Sequence, residues 1–246
     1  MEIISIITIT IIALIVAVFA SMVGGAGLIM VPVLVFFGVT PQTAIGTNWV
    51  ADGFMNLASS IKYYRNKRLK LKKIMLFSII AGFSGLIGIL ILLNINKNIL
   101  SKIVAIIIIL MSVFLLIKNN IGIKKKQIKE NILLTIVIAI ALGVYGGFFG
   151  GGLGSLLMFS FIFLFGFDFI TSAANARFSE FIMSIVIVIG FIVSGLIDKQ
   201  VVIPYTIASG VGGWFGASIA AKIGNVWIKR LFILVAVAMA IKLLFF

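Results

Sequence analysis

The chain has 246 residues, of which 63% are hydrophobic and 11% are charged, and it contains neither cysteine nor histidine. Soluble domains average about 45–50% apolar and about 25% charged residues, so this composition indicates a membrane protein with several spans. Disulfides, thiolate chemistry, histidine-ligated metals and histidine proton relays are excluded by the two missing residue types. The formal charge of +14 does not indicate nucleic-acid binding, because Lys and Arg lie in short loops between apolar segments.

Ten apolar segments follow one another along the chain, and they are predicted to be membrane-embedded helices. They are Ile3–Val23, Leu28–Phe37, Thr43–Tyr64, Ile74–Leu93, Ile99–Ile117, Ile132–Phe149, Leu153–Phe167, Thr171–Ser194, Val201–Ala221 and Val226–Phe246. The first has no basic region and no small-residue cleavage site, which favours a retained span over a signal peptide. Segments 28–37 and 153–167 are shorter than the roughly 20 residues of a perpendicular span. Each is a strongly tilted helix, half of a broken helix or the return limb of a re-entrant hairpin.

The two halves of the chain are similar to each other when one is shifted by 128 residues. At this offset Gly24 falls on Gly152, and the glycines of the segment 81–88 fall without a gap on those of the segment 209–216. The sequence therefore predicts an all-α polytopic membrane protein built from two repeats. The predicted repeats are residues 1–118 and 129–246, joined by a basic linker at residues 119–128.

The positive charges predict how the chain crosses the membrane. Three regions hold 15 of the 20 Lys and Arg residues, namely 62–73, 118–129 and 222–230. Cytoplasmic loops carry an excess of Lys and Arg, so we place these regions in the cytoplasm. Both termini are then extracytoplasmic, the linker is cytoplasmic, and equivalent loops of the repeats lie on opposite sides. This is an inverted-topology repeat in the cell membrane, with about five hydrophobic segments in each half.

Two glycine-rich segments interrupt the apolar pattern, and each precedes a short apolar helix. We call "SMVGGAGLIM", residues 21–30, the first glycine segment, and "GGFFGGGLGS", residues 146–155, the second. A helix that begins after glycines exposes backbone N–H groups, and its dipole adds roughly half a positive charge, so such an end attracts an anion. The predicted substrate contacts at these ends are Gly24, Gly25, Gly151 and Gly152. The alternative is that the glycines only allow close helix packing, which we favour for 81–88 and 209–216.

Three ionisable residues lie well inside apolar segments: Asp52, Arg177 and Glu180. Each costs roughly 2.5–3.5 kcal/mol at a helix centre, which makes a functional role the default interpretation. Arg177 is predicted to clamp the substrate anion, because a guanidinium suits planar or tetrahedral oxyanions. Asp52 and its repeat equivalent Glu180 are predicted to accept protons or to act in gating. The alternative is a structural ion pair between Arg177 and Glu180, which are one helical turn apart.

Further polar residues extend these positions into two stripes. The stripe of the first repeat contains Asn48, Asp52, Asn56 and Ser59, and that of the second contains Arg177, Glu180 and Ser184. Two stripes related by the repeat predict a shared cavity. Asp168 is predicted to lie at the membrane interface or to cap a helix. The tryptophans, Trp49, Trp214 and Trp227, are predicted to pack between helices or to lie at the membrane interface.

The segment "GGAGLIMVPVLVFFGVTPQTAIGTN" and its counterpart, "GGFFGGGLGSLLMF" followed by "TSAANA", resemble the TauE/SafE, or sulfite exporter, family of membrane transporters. The resemblance extends over essentially the whole chain. It implies a plasma-membrane carrier of prokaryotic type for small sulfur-containing anions such as sulfite or organosulfonates. It also implies substrate contacts at both glycine segments and at Thr47, Asn48 and Asn175. The first glycine segment is a shortened version of the family pattern, and Arg177 and Glu180 are not part of that pattern.

The leading interpretation is a secondary transporter that moves a small anion by alternating access, with protons as one option for the coupling ion. An anion channel and a membrane scaffold without transport activity are the alternatives. An enzyme is disfavoured, because the chain has no His, no Cys, no Gly-x-Gly-Asp and no Asp-rich diphosphate motif. We expect no cofactor, no metal ion and no nucleic-acid partner, and we expect the lipid bilayer as the surroundings.

Overall fold

The computed structural model describes residues 2–94, residue 128 and residues 131–245, with few side chains beyond residue 220. Within these ranges every regular element is an α-helix. The predicted fifth segment, 99–117, and almost all of the predicted linker, 119–128, lie outside the described residues. The all-helical part of the predicted fold class is therefore confirmed for the part of the chain that is described.

Eight helices form the described structure. They are α1 (Ile3–Val23), α2 (Ala26–Phe36), α3 (Pro41–Arg65), α4 (Leu71–Asn94), α5 (Ile132–Phe148), α6 (Leu153–Phe165), α7 (Phe169–Val193) and α8 (Val202–Phe245). Most bounds agree with the predicted segments to within three residues. The last two predicted segments run together in α8, which is interrupted by non-helical backbone at Gly224. Helices α3 and α7 both have 25 residues and begin 128 positions apart, as the duplication predicts.

Helix length separates the membrane-crossing helices from the short ones. α1, α4 and α7 are long and apolar enough to cross a membrane. At 1.5 Å per residue, the 11 residues of α2 and the 13 residues of α6 extend about 17 Å and about 20 Å, whereas the hydrocarbon core is about 30 Å thick. Large apolar side chains such as Ile3, Phe83 and Ile189 are exposed on the outside of the bundle, which suits contact with lipid.

The short helices begin inside the bundle. Gly27, the second residue of α2, contacts Asn48, the eighth residue of α3, since a methyl group on Gly27 would lie 3.1 Å from Asn48 Nδ2. In the same way Gly154, the second residue of α6, contacts the side chain of Arg177, the ninth residue of α7. The first turn of each short helix therefore lies beside the inner part of the neighbouring long helix and not beside its end. This geometry fits half of a broken helix or a re-entrant limb, and it does not fit a tilted full span.

The helix pairs of the two halves correspond when α1, α2, α3 and α4 are taken as equivalent to α5, α6, α7 and α8. α1 packs on α8 as α4 packs on α5, and α2 packs on α3 as α6 packs on α7. Thr47, near the start of α3, bonds to Asp198 beyond the end of α7, whereas Asn175, near the start of α7, bonds to Lys70 beyond the end of α3. Helices α3 and α7 consequently run antiparallel.

Glycines in the segments 81–88 and 209–216 allow these helices to approach closely. A side chain on Gly88 would collide with the backbone of α5 at Val144, and a side chain on Gly216 would collide with the backbone of α1 at Val18. Small residues let membrane helices approach until their backbones touch. The prediction that these two segments serve helix packing is confirmed.

Candidate anion-binding site

Both glycine segments break the helix where the sequence predicts a break. Gly24 and Gly25 separate α1 from α2, and both have φ near +89°. Gly150 and Gly152, between α5 and α6, have φ of +71° and +77°. Residues with a side chain rarely adopt this left-handed region, whereas glycine does so without steric cost. Gly25 and Gly152 are the N-caps of the two short helices, and both adopt the left-handed conformation, so glycine is favoured by the backbone at both.

The two glycine segments meet in the middle of the bundle. Gly24 lies so close to the backbone of Gly154 and Ser155 that a side chain on Gly24 would collide with it. The Ser155 hydroxyl donates a hydrogen bond of 2.8 Å to the Val23 carbonyl oxygen. The N-terminal ends of α2 and α6 therefore converge, and each end contributes a partial positive charge to the same region.

Arg177 brings a full positive charge to the start of α6. Its side chain is only 1% exposed, and its guanidinium lies against the Cα of Gly154. Nη1 lies 2.8 Å from Glu180 Oε2, whereas Nε and Nη2 have no hydrogen-bond partner within the described ranges. A cation at a helix N-terminus is disfavoured by the helix dipole, and buried donors without acceptors cost free energy. An anion bound between the guanidinium and the helix end would relieve both costs.

Glu180 lies between Arg177 and the polar stripe of α3. The Asn56 side chain lies beside the Glu180 carboxylate, and both residues are buried. The ion pair with Arg177 that the sequence raised as an alternative is therefore present. It occupies one guanidinium nitrogen and leaves two nitrogens for another acceptor. A structural pair and a site for an anion are thus compatible in this geometry.

Asn48 connects Asp52 to a tyrosine on α8. Its Nδ2 donates a hydrogen bond of 2.8 Å to Asp52 Oδ2, and its Oδ1 accepts a hydrogen bond from the Tyr205 hydroxyl. Asp52 interacts electrostatically with both Glu180 and Arg177. The repeat-equivalent carboxylates thus belong to one group of buried and half-buried side chains, which we call the central polar cluster: Asn48, Asp52, Asn56, Arg177, Glu180 and Tyr205.

Tyr205 was not among the residues predicted from the sequence. It lies in an apolar segment, where a tyrosine is easily interpreted as packing. Its hydroxyl is nevertheless a signal, because a buried tyrosine usually finds a hydrogen-bond partner. That partner belongs to α3, 157 residues away along the chain, so the sequence alone could not identify it.

Thr47 and Asn175 face protein backbone in this structure. Thr47 Oγ1 accepts a 2.8 Å hydrogen bond from the Asp198 backbone N–H. Asn175 Oδ1 accepts a 2.8 Å bond from the Lys70 N–H, and its Nδ2 donates to the carbonyls of Thr171 and Arg68. A direct substrate contact for these two residues stays a prediction, and the structure gives them a different set of partners.

Two of the predicted accessory roles are confirmed. The Asp168 side chain caps α7 by accepting a 2.8 Å hydrogen bond from the Thr171 N–H. Trp49 is buried, and its indole N–H donates a 3.0 Å bond to the Gly146 carbonyl in the second glycine segment. Trp49 occupies the position equivalent to Arg177, so the two repeats differ at the residue that carries the positive charge.

A helical bundle with an apolar outer surface, two interrupted helices and a charged cluster at their meeting point is typical of a membrane transporter. The chain belongs to the sulfite exporter TauE/SafE family, whose family model matches residues 9–243. The resemblance found in the sequence is thereby confirmed, and the chain is a membrane protein of a transporter family.

Several curated proteins are similar to the chain along most of its length. A "probable membrane transporter protein ORF9" from Sinorhizobium sp. is 25% identical over 91% of this chain and 86% of the relative. A "probable membrane transporter protein" from Haemophilus influenzae is 26% identical over 90% of this chain and 88% of the relative. The "probable membrane transporter protein YunE" from Bacillus subtilis is 32% identical over 46% of this chain and 45% of the relative. No solved structure matches the chain.

Proposed function

We propose that this protein is a secondary transporter that moves a small sulfur-containing anion, sulfite or an organosulfonate, across the cell membrane by alternating access. One observation carries the proposal. Arg177 is buried at the start of α6 with Nε and Nη2 lacking a hydrogen-bond partner among the described residues. A buried guanidinium in this state needs an acceptor, and a small oxyanion supplies two oxygens in the matching geometry.

The anion would bind where the two glycine segments converge. Arg177 lies on one side, Asn48 contacts the start of α2 on the other, and the glycines bring backbone close to both. A site that binds its ligand through a guanidinium and backbone groups suits a compact anion that has few functional groups besides its oxygens. The proposed contacts are Gly24, Gly25, Asn48, Gly151, Gly152 and Arg177.

The sulfur-containing substrate class rests on the family rather than on geometry. The family is described as sulfite exporters, and the printed names of the relatives specify only a membrane transporter. Sulfite and the sulfonate group of organosulfonates both present oxygen atoms to a guanidinium fork. Sulfate and thiosulfate share this feature, so they belong in any screen of substrates.

The packing of equivalent helices supports an inverted repeat. α3 and α7 run antiparallel, and the helix pairs correspond when the two halves are exchanged. A two-fold axis that relates two antiparallel helices is perpendicular to them. If the helices cross the membrane, this axis lies in the plane of the bilayer. With the basic loops in the cytoplasm, both termini are extracytoplasmic. A single cysteine at Lys67 and one at Lys199 should then react with impermeant thiol reagents from opposite sides, and labelling from one side would contradict the inverted repeat.

Glu180 and Asp52 would couple the anion to protons. An anion bound at Nε and Nη2 would share the guanidinium with Glu180, and a buried carboxylate whose cation is shared with a second anion is stabilised by accepting a proton. Among the described residues, Arg177 on α7 and Asp52 on α3 interact electrostatically with Glu180, Tyr63 on α3 interacts with Arg177, and Tyr205 on α8 interacts with Asp52. Anion and proton would thus move in the same direction.

Counterflow in proteoliposomes tests the proposal. Vesicles loaded with unlabelled sulfite should accumulate labelled sulfite transiently, because a carrier exchanges solutes and a channel does not. Arg177→Ala should abolish exchange, whereas Arg65→Ala, which removes an exposed arginine at the end of α3, should leave it unchanged. Folded Arg177→Ala protein with wild-type exchange would overturn the proposal, and flux without counterflow would favour a channel. A thermal-shift screen with sulfite, sulfate, thiosulfate and small sulfonates would identify the preferred anion.

A further inference from the structure

One hydrogen bond occurs twice in this molecule, at positions related by the repeat. The Asp198 N–H donates to Thr47 Oγ1 over 2.8 Å, and the Lys70 N–H donates to Asn175 Oδ1 over 2.8 Å. Thr47 and Asn175 are equivalent at the 128-residue offset, and so are Lys70 and Asp198. Both acceptor side chains are fully buried. The two bonds therefore represent one interaction that the duplication has placed at two sites.

Each of these bonds joins the two halves of the chain. Thr47 on α3 holds the loop between α7 and α8, and Asn175 on α7 holds the loop between α3 and α4. Neighbouring contacts strengthen the link, because a side chain on Gly46 would collide with the Leu196 carbonyl oxygen. Asn175 Nδ2 also donates to the Arg68 carbonyl over 3.2 Å. Opening either loop requires its bond across the halves to break.

The two bonds lie on opposite sides of the central polar cluster. Because α3 and α7 are antiparallel, Thr47 and Asn175 are near opposite ends of the bundle. Asp52 lies further along α3 than Thr47, and Glu180 lies further along α7 than Asn175, each toward the middle of its helix. Each bond therefore stands between the cluster and one end of the bundle, and both bonds are formed in this conformation.

We propose, building on the transport function above, that these two hydrogen bonds close the central polar cluster toward opposite sides of the membrane. We call them latches, and Thr47 and Asn175 are their positioning residues. With both latches closed, as they are here, the site would be closed toward both sides of the membrane. Breaking the bond at Thr47 would open the site at one end while the bond at Asn175 keeps the other end closed, and the reverse would hold for the second state. Among the described residues, two hydrogen bonds of the Asn175 side chain cross between the halves and one of the Thr47 side chain does, so we expect the Thr47 end to open more readily.

The absence of cysteine from the sequence makes a direct test possible. Ser155→Cys places one thiol where the glycine segments meet, and impermeant thiol reagents added to either side of oriented vesicles report which end is open. No anion is added. Thr47→Val keeps the side-chain shape and removes the acceptor, and it should raise labelling from the Thr47 side roughly 2- to 10-fold while lowering it from the other side. Asn175→Leu should shift labelling in the opposite direction.

Matched variants separate a latch from general loosening. Thr43→Val, one turn earlier on α3, should not change labelling, because the Thr43 hydroxyl accepts a hydrogen bond from Thr40 of the same half. Thr47→Ser restores an acceptor and should return labelling to the wild-type ratio. If Asn175→Leu does not fold, Asn175→Thr keeps one acceptor, and it should shift labelling in the same direction by a smaller factor.

The outcomes distinguish the latches from the transport proposal. Shifts in the same direction for Thr47→Val and Asn175→Leu, or unchanged labelling in folded protein, would overturn the latches. Because labelling is measured without substrate, opposite shifts would support the latches even if sulfite failed to bind in the thermal-shift screen. Wild-type counterflow in Arg177→Ala would remove the proposed anion site and leave this result unaffected.

Discussion

The guanidinium of Arg177 occupies the space that a side chain on Gly154 would need. An ideal Cβ at Gly154 collides with Nη2 and lies within 2.9 Å of Nη1. The absence of a side chain at residue 154 is therefore what allows the Arg177 guanidinium to reach the first turn of α6. This contact links the second glycine segment to the one positive charge of the central polar cluster.

Gly154→Ala should displace the Arg177 guanidinium from the start of α6. We expect sulfite exchange to fall roughly 10- to 100-fold, the worth of one lost charge-assisted hydrogen bond, with the protein still folded. Initial exchange rates in proteoliposomes measure the effect. Gly210→Ala is the matched control, because a methyl group at that helical glycine meets nothing within 4 Å. Equal rates for both variants would show that the contact does not matter for transport.

Glu180→Gln should leave the buried guanidinium without its counter-charge. Breaking a buried ion pair from one side costs about 3–5 kcal/mol, so the melting temperature of the purified protein should drop clearly. An anion should then restore more stability than in the wild type, because it replaces the negative charge that Glu180 supplied to Arg177. Thermal-shift titration with sulfite measures both effects. A variant as stable as the wild type and unresponsive to anions would contradict the proposal that Glu180 and the anion share Arg177.

Asp52→Asn should impair the pH dependence of transport more than it impairs folding. An asparagine at this position retains an oxygen that can accept the hydrogen bond from Asn48, so the link to Tyr205 can persist. It cannot exchange a proton, and exchange rates should therefore change little between acidic and neutral medium. Rates with the wild-type profile at every pH would remove Asp52 from proton coupling.

Tyr205→Phe tests the bond from α8 to the central polar cluster. The change removes the donor to Asn48 Oδ1 and leaves a buried acceptor unsatisfied, which costs about 1–3 kcal/mol. The melting temperature should fall accordingly. Tyr64→Phe is the matched control, since Tyr64 is 65% exposed and should tolerate the loss of its hydroxyl. Equal melting temperatures for the two variants would show that the hydrogen bond from Tyr205 to Asn48 does not stabilise the protein.

Local features of this protein could be predicted from the sequence because local physics determines them. Apolar runs specify helices in a membrane, and glycines at positions such as Gly25 and Gly152 specify where a helix must break. The offset between Asp52 and Glu180 follows from the duplication and needs no coordinates. The ion pair of Arg177 with Glu180 was also within reach, because the two residues are one helical turn apart.

Contacts between distant parts of the chain were decided by the tertiary structure. The sequence could not show that the two glycine segments touch each other, that Tyr205 bonds to Asn48, or that Thr47 and Asn175 hold loops of the opposite half. The physical reason is that a buried polar atom must find a partner, while the choice of partner depends on which helices become neighbours. A lone polar residue in an apolar segment predicts that its side chain forms a hydrogen bond. Only the packing of the helices determines which residue is the partner.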